Sequence, residues 1–335
     1  MRSKPLLEKG LTLNPNSMRF LTKPQVALTL PCLACLFLQA PAQTTNDGSR
    51  QIVLEEFTKA RPAAPKSTSR KPVKSPAVGT ANAKLSLSRY KRVTRPLPTS
   101  AKTRRLPEAE IGVTIWRLRP SRPEDEAGAR LLVMQNDSQT QWTPERMEAE
   151  TPLKVGERVR LSIEAPRAGY LYVVDREQYA DGSLGDAYLI FPTKRTRNGD
   201  NRVRPGKLID IPAQEDSPHH FTLVPSPARS DQVGEVLSII LTPQPIETLS
   251  ITDKPLQIAQ SDVLNWERLW GAAFERFELE NGAGLAWTKE ERDAAGARDV
   301  RYLNRDDPTP QTVYRLANVT RGSLLITVKL NYRNR

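Results

Sequence analysis

A dense succession of strand and turn signals fills residues 169–212 and most constrains the fold. β-Branched and aromatic residues open this segment, and short apolar runs follow at 187–191 and 208–211. Between these runs, Asp181-Gly182 is a residue pair that tolerates positive φ at a tight turn. The segment contains neither a phosphate-binding glycine loop nor a nucleophile motif. It therefore predicts antiparallel strands and does not point to a particular reaction.

Similar strand signals continue on both sides of this segment. Apolar and polar residues alternate with a period of two at 111–118, 158–165 and 323–332, which is typical of a half-buried strand, whereas both faces are apolar at 235–242. The further predicted strands are residues 111–118, 130–134, 158–165, 221–224, 235–242, 313–316 and 323–332. Strands and turns at this spacing predict a mainly β fold, an antiparallel β-sandwich-like domain.

Two helices are predicted before the last strands. In residues 261–278, Trp266, Trp270 and Phe274 recur at helical spacing, and this amphipathic pattern predicts one long helix. Such an aromatic stripe usually packs into a core. The alternative is an exposed docking face made by these three residues. The capping-box pattern that starts at Thr288 predicts a second, short helix.

The first 42 residues have the pattern of a bacterial export signal. Basic residues just after Met18 precede an apolar run at 26–38, and small residues stand before Gln43. We expect cleavage before Gln43 and a true start at Met18. The apolar run is shorter than the about 20 residues that a membrane helix needs, so a retained anchor is the less favoured alternative. The expected location is the periplasm or the exterior of a bacterium.

Positive charge is concentrated ahead of the predicted β domain. Residues 50–107 carry 15 Lys and Arg against 2 Asp and Glu, whereas residues 108–335 carry 30 against 34. Net charge thus gives no argument that the domain binds nucleic acid. The Pro-, Ala-, Lys- and Ser-rich composition of 43–107 predicts a disordered spacer. Its charge is either incidental or attracts it to an anionic membrane or cell-wall surface, with 50–107 as the contacting segment.

Several short motifs inside the β region resemble one family when taken in order. The pieces are residues 153–159, 169–175, 189–192, 199–203, 206–207 and 211–212. Their order and spacing resemble the domain of unknown function 4384 family (DUF4384), over roughly residues 153–241. The resemblance implies an all-β domain of bacterial proteins, often exported or fused to signalling and protease-like modules. It implies no reaction and carries over no catalytic residue.

Carboxylates are the best candidates for chemistry. Both cysteines, Cys32 and Cys35, precede the expected cleavage site, which excludes thiol catalysis and Cys-type zinc sites in a cleaved chain. The adjacent pair His219 and His220 would point to opposite faces of a strand. We expect no cofactor, no metal and no catalytic residue. The acidic candidates, for binding or for a calcium loop at 175–186, are Asp175, Asp181, Asp186 and Asp200.

A cluster of arginines follows these acids in the chain. Arg195, Arg197 and Arg202 either pair with the acids across a hairpin or recognise an anion or a partner. The favoured hypothesis is a non-enzymatic binding or assembly module of the cell envelope. Its expected partner is a protein or an anionic envelope component, and not nucleic acid. The alternative is an extracytoplasmic glycan hydrolase that uses the loop carboxylates.

Overall fold

A computed structural model describes residues 57–63, 89–94, 109–135, 138–216, 218–226, 229–271, 273–296, 301–316 and 322–333. The predicted export signal, its cleavage site and most of the predicted spacer lie outside these residues. All the described residues belong to one compact unit within residues 45–335.

The described part of the chain forms strands and short helices. In chain order the strands are β1 (Tyr90–Arg92), β2 (Ala109–Pro120), β3 (Leu131–Gln135), β4 (Ser138–Met147), β5 (Arg158–Glu164), β6 (Gly169–Tyr179), β7 (Ala187–Phe191), β8 (Arg202–Val203), β9 (Leu208–Ile211), β10 (Phe221–Thr222), β11 (Gln232–Thr242), β12 (Leu256–Ile258), β13 (Phe274–Leu279), β14 (Thr312–Leu316) and β15 (Leu324–Asn331). Two helices lie among the later strands, α1 (Gln260–Trp270) and α2 (Lys289–Ala295), and residues 57–59 are also helical. Short 3-10 turns lie at Ala127–Ala129 and Arg197–Gly199.

The strands form two antiparallel sheets. The larger sheet has the order β1-β13-β14-β2-β4-β3, in which β14 pairs with residues 109–113 of β2 and β4 pairs with residues 115–120. Strand β5 pairs with residues 112–118 along the other edge of β2. Strands β9 and β10 pair in turn with β5. The smaller sheet has the order β12-β7-β6-β11-β15, with β8 beside β6. Distant parts of the chain therefore meet in both sheets. For example, Val113 of β2 lies opposite Thr312 of β14.

The hydrophobic core lies between the two sheets. Alternation along each strand sends every second apolar side chain inward, so the two inner faces pack against each other. The core residues from β2, β5, β6, β11 and β15 include Ile111, Val113, Ile115, Val159, Leu161, Ile163, Leu171, Val173, Leu237, Ile239, Leu241, Ile326, Val328 and Leu330. This arrangement confirms the predicted mainly β, sandwich-like fold.

The amphipathic helix is shorter than the sequence pattern predicts. It ends at Trp270 instead of residue 278, and Phe274 and Phe277 lie in strand β13. Gly271 closes the helix with its N–H donating to the Glu267 carbonyl at 2.9 Å, and a Cβ there would lie 2.2 Å from that oxygen. The aromatic spacing continues across this break, which is why periodicity alone placed the end of the helix wrongly. The short helix α2 begins at the predicted Thr288 capping box.

Helix α1 covers the outer face of the smaller sheet. Val263 and Trp266 are buried against Ile240 and Leu325, which point away from the main core. Arg176 of β6 donates to Glu267 of the helix, so an ion pair also joins the two elements. The smaller sheet is thus packed on both faces, and this explains the double-sided apolar pattern of β11.

Two segments inside the predicted spacer are packed parts of the domain. Phe57 and Tyr90 are buried on the outer face of the larger sheet, against Phe277 and Val313. Strand β1 extends the sheet by pairing with β13, and the Tyr90 hydroxyl donates to the Pro310 carbonyl at 2.5 Å. The expectation of a continuous disordered spacer over 43–107 therefore fails at residues 57–63 and 89–94. Isolated apolar residues in a Pro-rich segment give no periodic signal.

The packing of Phe57 leads to a direct prediction at Gly112 of β2. A Cβ at this position would lie 2.8 Å from Phe57 Cζ and 2.4 Å from Pro310 Cγ. We expect Gly112→Ala to destabilise the protein by about 2 kcal/mol in urea unfolding, because the added methyl overpacks the site. Gly128→Ala is the matched control, since its nearest neighbour, an Arg292 nitrogen, lies 3.6 Å away. Equal stability of the two variants would contradict the close packing of Pro310 and Phe57 on Gly112.

Candidate functional site

A cavity of about 150 Å³ opens between the two sheets near one end of the sandwich. Its wall is mostly apolar and is formed by Val159, Leu161, Ile190, Leu223, Leu237 and Leu330. Val224, whose side chain is 63% exposed, stands at its mouth. Asp175, Glu235 and Tyr332 also line it. The cavity thus combines an apolar wall with two carboxyl groups and a phenol.

Strand register brings the two carboxyl groups together. Asp175 follows the inward-facing Leu171 and Val173 on β6, so alternation directs it to the same face. Glu235 precedes the inward-facing Leu237 on β11 in the same way. Asp175 lies opposite Leu237 in the ladder, so Glu235 is its diagonal neighbour.

The two carboxyl groups are held differently. Glu235 Oε1 accepts hydrogen bonds from the Tyr332 hydroxyl at 2.7 Å and from Gln232 Nε2 at 2.8 Å. Asp175 Oδ1 and Glu235 Oε2 are both sealed from solvent and receive no hydrogen bond from a protein donor. Two buried oxygens without donors are expensive unless a proton or a cation lies between the carboxyl groups.

A shared proton satisfies this pair in the isolated protein. Burial, and next the negative charge of Glu235, raise the pKa of Asp175 to about 8. Burial also raises the pKa of Glu235, although hydrogen bonds from Tyr332 and Gln232 oppose the shift. Glu177 adds a third negative charge nearby. At neutral pH the Asp175 carboxyl therefore stays protonated and donates to Glu235.

The other predicted acidic residues do not join this site. Asp181 accepts from the Ser183 amide at 2.8 Å and pairs with Arg229 at 3.2 Å. The hydrogen bond from the Ser183 hydroxyl is the main reason that the pKa of Asp181 falls to about 2. This is the local turn bonding typical of Asp. The calcium loop predicted at 175–186 is not assembled, because Asp175 points into the sandwich and Asp181 is bound within its own turn.

Asp186 and Asp200 also lie apart from the cavity. Asp186 is exposed beside a depression of about 350 Å³ in front of helix α1. Asp200 accepts from Arg202 Nε at 2.8 Å, and this hydrogen bond lowers its pKa. Arg197 approaches Asp200 to 4.0 Å, whereas Arg195 is exposed on the surface. The predicted acids and arginines thus form local pairs and do not form one surface.

Neither of the two histidines lines the cavity, although Phe221, which follows them in the chain, does. Their rings meet edge to face with centroids 5.8 Å apart. Burial lowers the pKa of both, and that of His220 to about 4, so both are neutral at pH 7. Among the residues that the structure describes, no group of three or more His, Cys, Asp or Glu is placed to hold a metal ion.

The proposed aromatic docking residues are divided between two elements. Trp266 is 7% exposed and stacks on the half-buried Trp270, with ring centroids 6.0 Å apart. Phe274 lies in strand β13 and packs edge-on against Tyr314 at 5.3 Å. The three side chains therefore do not share a helix face. Trp266 fixes the helix to the smaller sheet, which is the core role expected of such a stripe.

Glu235 and Tyr332 are the functional candidates that sequence reasoning missed. Glu235 occupies an inward position of β11 next to the apolar Leu237, and Tyr332 directly follows β15, two residues after the inward-facing Leu330. An acid in phase with buried apolar neighbours is the signal that could have identified Glu235. Its proximity to Asp175 depends on register, which the sequence does not reveal.

The fold and this cavity define a class of protein: an antiparallel β-sandwich with an acid pair in an inter-sheet cavity. No helix among the described residues is long and apolar enough to cross a membrane. Residues 152–243 match the family described as Domain of unknown function (DUF4384), which confirms the resemblance. This segment spans β5 to β11 and includes both Asp175 and Glu235. The comparisons with curated proteins and with solved structures gave no match.

Proposed function

We propose that the protein is a non-enzymatic binding module, exported to the bacterial cell envelope, that holds a partner through the inter-sheet cavity. The carrying observation is the apolar cavity lined by the Asp175 and Glu235 carboxyl groups, each with one buried oxygen that no residue outside the pair bonds. Concave apolar sites with a few convergent polar groups are the usual form of a ligand site. The export pattern of the first 42 residues supports the location.

The arrangement of the carboxyl groups favours binding over glycan hydrolysis. Glycosidases place their two carboxyl groups about 5 Å or more apart, to leave room for the sugar or for water. Asp175 and Glu235 are in hydrogen-bond contact instead. The loop acids that the hydrolase hypothesis needs, Asp181 and Asp200, are bound to Arg229 and Arg202.

The basic segment 50–107 adds a second, less specific contact. Its positive charge suits attraction to an anionic lipid or cell-wall surface, and this attraction would weaken with salt. Arg61 does not contribute to that charge, because its side chain is buried in an ion pair with Glu164. The basic segment increases the local concentration of the protein at the envelope, and the cavity supplies the specific contact.

Closing the mouth of the cavity tests the proposal. We expect Val224→Trp to lower the yield of the partner at least about tenfold in affinity capture from envelope extracts, because the indole fills the space for the partner's group. The matched control is Leu264→Trp, which adds the same side chain at a 52% exposed position on α1. Equal loss of capture in both variants, or unchanged capture with Val224→Trp, would contradict the proposal.

A glycan panel tests the alternative with the same protein. A binding module shows no turnover on any glycan, with or without Asp175→Asn. Turnover by the natural chain that Asp175→Asn abolishes, while capture of the partner persists, would establish the hydrolase instead.

A further inference from the structure

We propose that the cavity binds an alkylammonium group, the side chain of a lysine on the partner, whose charge replaces the proton shared by Asp175 and Glu235. This inference rests on the proposed function and names its ligand chemistry. The observations that carry it are the cavity, its apolar wall, and the buried Asp175–Glu235 pair, in which one carboxyl oxygen of each residue is bonded by no residue outside the pair.

The volume and the wall fit a lysine side chain. The cavity volume of about 150 Å³ is several times the roughly 10–15 Å³ that a single water molecule needs, so the cavity admits an alkyl chain of several atoms. A lysine side chain consists of four methylene carbons and one nitrogen. Its apolar stem suits Val159, Leu161 and Leu237, which line the cavity.

The polar groups fit an ammonium ion. Once the proton that Asp175 shares with Glu235 has left, Asp175 Oδ1 and Glu235 Oε2 receive no hydrogen bond from any other residue. An ammonium group brings three N–H donors to replace that proton. Tyr332 and Gln232 already occupy the other oxygen of Glu235, Oε1. A neutral ligand group would supply fewer donors and no charge. The chemistry therefore selects a primary ammonium over an alcohol or a carboxylate.

The charges around the pair also favour a cation. The pair faces Glu177 of β6 and Tyr332, which directly follows β15. Strands β5 and β10 contribute Val159, Leu161, Phe221 and Thr222, which carry no charge. Among the described residues that line the cavity, none is Lys or Arg. The protein thus supplies no cation of its own at this position.

Binding then exchanges one cation for another. The neutral Asp175 carboxyl loses its proton to solvent as the ammonium enters, so one proton leaves for each alkylammonium bound. Because the pKa of this carboxyl is raised to about 8, affinity increases with pH below that value, by up to about tenfold per pH unit. The ammonium itself stays charged, since a lysine-type amine has a pKa of about 10.4.

Calorimetric titration of the full chain with n-butylammonium chloride tests the inference. We expect release of one proton per ligand at pH 7, measured in two buffers of different ionisation enthalpy, and at least tenfold weaker binding of the neutral isostere n-butanol. Asp175→Asn removes the proton release and weakens n-butylammonium at least tenfold, whereas Asp181→Asn leaves both unchanged. Equal binding of n-butanol and n-butylammonium, or no binding to the natural chain, would overturn the inference.

Capture from envelope extracts separates this inference from the proposed function. If a partner's lysine is the ligand, acetylation of the lysines in the extract prevents capture, and n-butylammonium competes with the partner. If Val224→Trp abolishes capture while acetylation and n-butylammonium have no effect, the cavity is the binding site but lysine is not its ligand. If n-butylammonium competes and acetylation has no effect, the cavity binds an alkylammonium group that is not a partner's lysine, and the inference is wrong about the source of the ligand.

Discussion

Replacement of Arg61 by Met destabilises the protein by about 4 kcal/mol, because it leaves Glu164 buried without its counter-ion. Arg61 Nε and Nη2 each donate to one oxygen of Glu164 at 2.7 Å, and both side chains are at most 2% exposed. The remaining N–H groups bond the carbonyls of Asn304, Asp307 and Pro308. Urea unfolding of the natural protein and of Arg61→Met measures this difference in the free energy of unfolding.

Two further variants identify the cause. The double variant Arg61→Met, Glu164→Met removes both charges and recovers the part of the loss that comes from the unpaired Glu164. The three carbonyls that Arg61 bonds still lack its donors, so recovery is incomplete. Arg202→Met breaks the exposed pair with Asp200, where Arg202 is 67% exposed, and changes stability by less than about 1 kcal/mol. A loss below about 1 kcal/mol for Arg61→Met would show that residues 57–63 do not dock on the sheet.

We expect the difference in free energy of unfolding between Asp175→Asn and the natural protein to change by on the order of 3 kcal/mol, in favour of the variant, when the pH rises from 4 to 8. Folding raises the pKa of this carboxyl from 3.8 to about 8. The native state therefore binds more protons than the unfolded state between these values, and the stability of the natural protein falls as pH rises through this window. Half of the shift already accounts for about 3 kcal/mol. Asparagine keeps the shape, still donates to Glu235 and does not titrate.

The measurement is urea unfolding at pH 4, 6 and 8 for both proteins. Asp181→Asn serves as the control, because the pKa of Asp181 lies at about 2, below this window, and its replacement leaves the pH dependence between 4 and 8 unchanged. Parallel stability curves for the natural protein and Asp175→Asn would show that the Asp175 carboxyl is not protonated in the fold.

Strands that bury one face could be predicted from the sequence. In β2, β5 and β15 the core takes every second residue, so the pattern of period two records the burial directly. Strand β13 was missed because its polar residues are buried too. Glu278 is 4% exposed and binds Thr312 at 3.0 Å, which makes a buried strand resemble a polar helix face in the sequence.

The candidate site was only half predictable. Asp175 could be recognised as a candidate because it is an acidic residue that directly follows a run of β-branched and aromatic residues predicted to form a strand. Glu235 and Tyr332 did not, because they approach it through two pairings of β11, one with β6 and one with β15. Register is set by the whole sheet and not by any local window of residues. The loop acids were misleading candidates for the same reason, since local turn bonding explains Asp181.

The long-range pairing of the strands also governs how the domain is assembled over time. Tyr90 pairs with Leu279, and Leu237 pairs with Val328. In a topology of such high contact order, the chain loses the entropy of closing large loops before the stabilising contacts form. Such β proteins fold in about milliseconds to seconds. The smaller sheet cannot close until β15 has emerged from the ribosome. If the chain is exported as proposed, this delay keeps it unfolded for transport.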